Sequence, residues 1–346
     1  MTWGWRYDNH SKFKRCSKIA GVSVSTVSRA LNGKSCVNEE TKKRIMDAVE
    51  QTNYRPNIIS KSLKMGKSNT ICLLVSTIQN PIFAEITQGV EDTARKSGYI
   101  VVLCNTDEDE AIEREYIENM KTRWVDGFII CSAVNSSQYI KRLRGEGFPV
   151  VMVNRFDKED EKNVDTVGVD NYQAAYDATR YLIQTGHRRI ALGCGSEELY
   201  LYRERYRGYR EALEDAGISY DDGLVMRETY SQECFYQLTK KLMSAGDPPD
   251  AIFALSDPIA FRIMHALHDM NLNIPNDIAV IGFDNVELSS MVEPPLTTVS
   301  QPLYDLGCAA AKSLIRQIQH KDRCGELPTP VNSVLGTSLI LRRSTR

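Results

Sequence analysis

The stretch VSVSTVSRALNG, Val22 to Gly33, puts the hydroxyls of Ser23, Ser25, Thr26 and Ser28 beside a single guanidinium, that of Arg29. Hydroxyls donate and accept hydrogen bonds, and an arginine fork donates two at once, so the set suits an oxygen-rich, anionic partner. It does not suit bond-breaking chemistry. No base lies in the stretch, and the chain carries neither a Ser-His-Asp signature nor a nucleophile elbow. GCGSE, at 193–197, is a lone G-x-G without the rest of a dinucleotide fingerprint. His265 and His268 lie three apart on a helical pattern with Asp269 beside them, and no third metal ligand stands elsewhere to join them. The sequence therefore predicts no enzyme, no cofactor and no metal site.

The composition is that of a soluble chain of two or three domains: 346 residues, 42% hydrophobic and 25% charged. There is no apolar run of bilayer length, and the opening MTWGWRYDNHSKFKR lacks the apolar core of a secretion signal. The nine cysteines are scattered and never spaced C-x-x-C. Cys72, Cys104, Cys131 and Cys194 fall in β-like runs and read as small core residues in a reducing cytoplasm. The net charge of −2 hides an asymmetry: residues 1–69 hold 14 Lys and Arg against 5 Asp and Glu, residues 70–346 hold 29 against 40. A basic head on an acidic body points to a polyanion bound by the head alone.

The elements that would position the hydroxyls are three short helices. Phe13, Cys16 and Ala20 have helical spacing, and Gly21 suits the turn after them. Ser23 is an N-cap for a second helix, Val24 to Leu31, with Val27 and Leu31 inward. Asn38 caps a third, whose first turn carries Glu39 and Glu40 and whose apolar stripe is Ile45, Met46 and Val49. Two helices about a Gly-containing turn, with a third packed on them, make a helix-turn-helix.

IAGVSVSTVSRALNGK, followed by VNEETKKRIMDAVEQTNYRPNIISKSLK, closely resembles the DNA-binding headpiece and hinge of the LacI/GalR transcriptional regulators. The resemblance implies that Val24, Ser25 and Arg29 face bases, with Arg29 forking onto a guanine, and that Thr26, Ser28 and Asn32 hold phosphates. Tyr54 should pack on the headpiece, and Arg55-Pro56 should stop the preceding helix. The hinge, Asn57 to Lys64, is too short to be a stable helix alone. By the resemblance it folds on operator DNA against its twin from a second subunit, with Leu63 wedged between base steps and Lys64 lining the minor groove. One departure concerns helix 1: Lys12 stands at the family's usual Thr cap and Arg15 at its helix-start acid, which opposes the dipole and predicts a weakened helix.

From Ile71 the chain alternates apolar runs such as ICLLVS, VDGFIIC, PVVMVN, DAIFALS and DIAVIGFD with amphipathic helices, in two halves that part near Asp170. Such alternation means parallel sheets covered on both faces. It resembles the two-lobed, periplasmic-binding-protein-like core of the same family. The expected fold is thus an all-α helix-turn-helix headpiece (1–56), a hinge helix and linker (57–69) and a two-lobed α/β core (70–346). Lobe 1 takes 70–168 and 299–332, and lobe 2 takes 169–298 and 333–346.

Ligands in such sheets lie beyond the carboxyl ends of the strands, here between the lobes. The resemblance places Ile82, Phe83, Ser132, Asn154, Arg155, Arg203, Arg205, Ser256, Asp257 and Asp284 around an effector. Asn154 and Ser256 stand where the family often has an acid and an asparagine. Three arginines against two acids suggest an anionic ligand, a sugar acid or sugar phosphate, with Phe83 covering a carbon face. The expectation is a cytoplasmic, homodimeric, sugar-responsive repressor of a near-palindromic operator, with no membrane association; the alternative is a sugar-binding protein without a DNA role. Arg29→Ala should cost roughly 1–3 kcal/mol on specific sites and much less on random duplex. Competition binding against operator variants checks it, and an equal loss on both DNAs would remove the base-reading assignment.

Overall fold

The computed structural model describes residues 4–31, 37–54, 67–123, 125–132, 137–227 and 234–346. The chain divides into two compact units, Met1–Ser68 and Asn69–Arg346. The hinge residues Asn57, Leu63 and Lys64, and Asn32 after the second helix, lie outside the described residues.

The first unit is built on α1 (Gly4–Ile19), α2 (Val24–Leu31) and α3 (Glu39–Thr52). Cys16, Ala20, Val27, Ala30, Ile45 and Ala48 make its core, with Phe13, Leu31, Val49 and Tyr54 packed at the margin. Ser23 Oγ accepts from the Thr26 amide at 3.2 Å, and Asn38 Oδ1 from the Thr41 amide at 2.8 Å, as the cap reading requires. Two expectations change. The first helix starts at Gly4, so Lys12 and Arg15 lie within it and no longer oppose the dipole from its first turn. Met46 is 52% exposed, because Ile45, Ala48 and Thr52 occupy the inward face of α3.

In the second unit lobe 1 has a six-stranded sheet, ordered β11-β5-β4-β3-β1-β2. Its strands are β1 (Thr70–Val75), β2 (Ile100–Asn105), β3 (Gly127–Cys131), β4 (Val150–Val153), β5 (Asp165–Val169) and β11 (Asn332–Leu335), all parallel. Lobe 2 repeats the plan as β12-β10-β9-β8-β6-β7. Here the strands are β6 (Ile190–Cys194), β7 (Val225–Arg227), β8 (Ala251–Ala254), β9 (Ala279–Asp284), β10 (Thr297–Ser300) and an antiparallel edge, β12 (Ser338–Ile340). The continuous apolar runs are buried on both faces because helices cover both. Cys72, Cys104, Cys131 and Cys194 are core side chains. The chain crosses between lobes after β5, after β10 and after β11; the last crossing follows Leu335, later than the sequence boundary at 332, because 332–335 completes the edge beside β5.

The helices named below are α4 (Pro81–Lys96), α5 (Glu110–Thr122), α7 (Asn171–Gln184), α8 (Tyr200–Asp215), α10 (Asp257–Asp269) and α11 (Leu303–Cys324); α6 (Ser137–Gly145) and α9 (Cys234–Met243) complete the set described. In each lobe one helix pair touches backbone to backbone. A Cβ on Gly89 of α4 would lie 2.1 Å from the carbonyl oxygen of Tyr304 in α11, and one on Gly208 of α8 would lie 2.3 Å from that of Tyr172 in α7. These contacts hold α4, which carries Phe83, and α8, which carries Arg205. Gly89→Ala should destabilise the second unit by about 1–3 kcal/mol, the overpacking exceeding the gain of about 1 kcal/mol that alanine brings to a helix. Urea unfolding measures the difference.

Candidate functional site

On the first unit, Val27 and Ala30 turn inward while Val24, Ser25 and Arg29 are exposed and Thr26 and Ser28 half-buried. Ser23 Oγ lies 2.8 Å from both Ser25 Oγ and Thr26 Oγ1, so the hydroxyl row is ordered at the helix start. Lys14, Arg15 and Lys18 of α1 are exposed in the same unit. Tyr54 packs its ring 5.1 Å from that of Phe13.

In the second unit the candidate arginines have different surroundings. Arg205, in the second turn of α8, is 2% exposed. Its Nε donates to Asn171 Oδ1 at 2.8 Å and its Nη1 to the Leu255 carbonyl at 2.6 Å, and Nη1 stands 3.7 Å from Asp284 Oδ1. The guanidinium lies 3.5 Å from the ring centroid of Phe283. Burial pushes its pKa down from the ordinary arginine value, and Asp284 opposes that. Arg155, from lobe 1, is 6% exposed; its Nη2 donates to Glu108 Oε1 at 3.0 Å and it rests 5.4 Å from the Phe83 ring centroid. Its Nη1 is buried with no hydrogen-bond partner. Arg203 is 45% exposed at the rim, where Nη2 donates across the lobes to Asp157 Oδ1 at 2.8 Å and Nη1 holds the carbonyls of Glu197 and Glu198. It bridges the two lobes at the rim.

Asp284 ends β9 with φ at 119°, followed by Asn285 at 59°, a backbone that non-glycine residues rarely adopt. Gln301 Nε2 donates to its Oδ1 at 2.7 Å. Burial raises its carboxyl above the usual range, and Arg205 works against that. Asp257 is fully buried, and its two oxygens accept from the Val286 amide at 2.9 Å and Thr298 Oγ1 at 2.6 Å. Burial, then Asp284, raises its carboxyl too. This acid ties the end of β9 to β10 with both of its oxygens. Ser132 donates to Glu113, and Ser256 sits against the Tyr202 hydroxyl. Ile82 and Phe83 belong to the lobe 1 core, where Phe83 supports Arg155. Asn154 takes a left-handed φ of 65° that aims Arg155.

Sequence reasoning missed Ser76, Glu108, Asn171, Tyr202 and Gln301. Ser76 Oγ and Gln301 Oε1 are, like Arg155 Nη1, buried without hydrogen-bond partners. Such atoms are rare, and these three stand just beyond the carboxyl ends of β10, β1 and β4, where open α/β sheets bind ligands. Position immediately after a strand was the signal available for Ser76 and Gln301.

A helix-turn-helix unit in one chain with a two-lobed, parallel-sheet core defines a class: transcriptional regulators with a sugar-binding type of domain. The family described as "Bacterial regulatory proteins, lacI family" matches residues 16–57, and "Periplasmic binding proteins and sugar binding domain of LacI family" matches 68–329. The HTH-type transcriptional regulator RegA of Clostridium saccharobutylicum is 35% identical, over 97% of this chain and 99% of that protein. Catabolite control protein A of Priestia megaterium is 34% identical, over 87% and 90%. Among solved structures, a complex of the transcriptional regulator CelR with cellobiose superposes with a TM-score of 0.73 at 30% identity, covering 96% of this chain and 99% of that one. The lac repressor dimer bound to operator and the anti-inducer ONPF superposes at 0.84 with 25% identity, covering 95% and 97%. The chain belongs to the LacI family of DNA-binding transcriptional regulators, which are not enzymes. No helix among the described residues is long and apolar enough to cross a membrane.

Two arginines two residues apart on α8 should behave very differently. Arg205→Met leaves the buried Leu255 carbonyl without its donor and Asp284 without its counter-charge, and should cost about 3–5 kcal/mol. Arg203→Ala removes a rim pair and should cost about 1 kcal/mol or less. Denaturant unfolding of the two variants makes the comparison, and equal costs would contradict it.

Proposed function

We propose that the chain is a homodimeric repressor that reads a near-palindromic operator and responds to a neutral polyhydroxyl effector between its lobes. Arg29, Val24 and Ser25 face base edges; Thr26, Ser28 and Asn32 hold phosphates; Tyr54 steadies the end of the headpiece; and Asn57, Leu63 and Lys64 form the minor-groove hinge. A two-fold site suits a dimer whose hinge helices fold only as a pair. The place of action is the cytoplasm, where the operator is.

The observation that carries the effector class is a charge-balanced site with open polar atoms. Arg155 faces Glu108, Arg203 faces Asp157 and Arg205 faces Asp284, so the cationic excess behind the sugar-acid or sugar-phosphate expectation is absent. The open atoms offer what hydroxyl groups need: Ser76 Oγ donates or accepts, Arg155 Nη1 donates and Gln301 Oε1 accepts. Arg155, Arg205, Asp284 and the Asn154 and Ser256 backbone corners are the effector contacts of this reading, with Tyr202 as its aromatic face. Relatives support it: one solved LacI-family regulator, from Enterococcus faecium, carries bound ribose, and CelR carries cellobiose.

A thermal-shift series on the full chain with ribose, cellobiose, gluconate and glucose 6-phosphate tests this. A ligand at a hundred times its Kd stabilises the native state by about 2.7 kcal/mol. A neutral sugar should raise Tm and alter retention of a palindromic duplex in a gel shift. Stabilisation by the two anions alone would overturn the neutral class.

A further inference from the structure

Glu108 is the one partner of Arg155 whose place depends on an unusual turn. It follows β2 as the second of two left-handed residues, Asp107 at φ 55° and Glu108 at φ 60°. The turn is pinned from several directions. The Glu108 amide donates to the Ser76 carbonyl at 3.0 Å, the Asp109 amide to the Thr106 carbonyl at 3.0 Å, and Asn105 Nδ2 to Asp107 Oδ1 at 3.2 Å. Asp109 then caps α5 through the amides of Ala111 and Ile112. The left-handed backbone is held by the fold, and its result is a carboxylate 3.0 Å from a guanidinium that is 7% exposed. Glu108 itself is 51% exposed, so it stands on the solvent side of the pair. Arg155 keeps one nitrogen, Nη1, buried and unpartnered.

We propose that Glu108 is a specificity-determining residue: a built-in counter-ion that occupies the charge of Arg155 while leaving Nη1 to donate to an uncharged oxygen. The proposal rests on the polyhydroxyl reading of the same site and explains how such a site refuses anions. A hydroxyl accepts from Nη1 without disturbing the pair. A carboxylate or phosphate at the same nitrogen would bring a second negative charge near the half-exposed Glu108 carboxylate, and like charges repel. Selectivity of this kind comes from rejection of the wrong ligand as well as attraction of the right one. Ser76 belongs to the same device, since its carbonyl positions Glu108 and its hydroxyl is open beside it.

The test uses the full chain without DNA, inorganic phosphate as the anion and ribose as the neutral probe, at constant ionic strength. The wild type, Glu108→Gln, Glu108→Ala and the double variant Glu108→Gln with Arg155→Met are compared by calorimetry and thermal shift. Glutamine still accepts from Arg155, so the fold is kept; alanine removes the acceptor and is the second route to the same result. The basic headpiece is common to all four and cancels in the comparison. Both single variants should bind phosphate at least tenfold more tightly than the wild type, and the double variant should lose that gain. Phosphate affinity unchanged in both single variants, or a gain that survives removal of Arg155, would overturn the proposal. Failure of the polyhydroxyl reading would show separately, as no response of the wild type to any neutral sugar, while the phosphate comparison still reports on Glu108.

Discussion

A guanidinium buried to 2% exposure must be answered on every side, and lobe 2 is arranged around that requirement at Arg205. Asn171 at the start of α7, the Leu255 carbonyl beyond β8, Asp284 at the end of β9 and the face of Phe283 each meet one part of it. Those groups come from α7, the end of β8 and β9, so the charge fixes where three elements converge. Asp284 then needs Gln301 on its other side, and its turn needs Asp257 behind it, which takes the Val286 amide and the Thr298 hydroxyl. Gly282 completes the arrangement, since a Cβ there would sit 2.2 Å from Asp257 Oδ1.

Lobe 1 solves the same problem with fewer ties. Arg155 leans on Phe83 and pairs with Glu108, and one nitrogen is left over. The contrast separates a guanidinium held by several protein groups from one that keeps a buried nitrogen without a partner, which has an extra hydrogen bond to give. Arg203 is a third case. Its exposed bridge to Asp157 crosses between the lobes, so its energy depends on how far apart they stand. A solvent-screened pair of this kind constrains the two lobes less than a buried pair would.

Both lobes also rely on helix pairs that meet through glycine, Gly89 against Tyr304 and Gly208 against Tyr172. Each pair includes the helix that delivers cleft residues, α4 for Phe83 and α8 for Arg205. Close backbone contact gives those helices little freedom to shift, which keeps the polar ends in register with the strands beside them. In the headpiece the comparable device is the cap: Ser23 and Asn38 start their helices and leave a short helix with one apolar side inward and its hydroxyls and Arg29 outward.

Sequence alone is enough for the helix-turn-helix, the outward row on α2 and the alternation of strands and helices. All of these are written in local period and capping, over at most a dozen residues at a time. Arg205 and Asp284 stood out in the sequence because the motifs around them are distinctive, and the fold brings the two within 3.7 Å. Met46 was misread because the stripe of a short helix admits more than one inward face. Which charges are paired emerges only from the folded chain. Arg155 meets Glu108 at a separation of 47 residues, and Arg203 meets Asp157 at 46. Asp257 spends its oxygens on Val286 and Thr298, 29 and 41 residues away. A count of arginines and acids cannot foresee such pairings, because a charge is balanced by what the fold brings within hydrogen-bond distance and not by its neighbours in the chain.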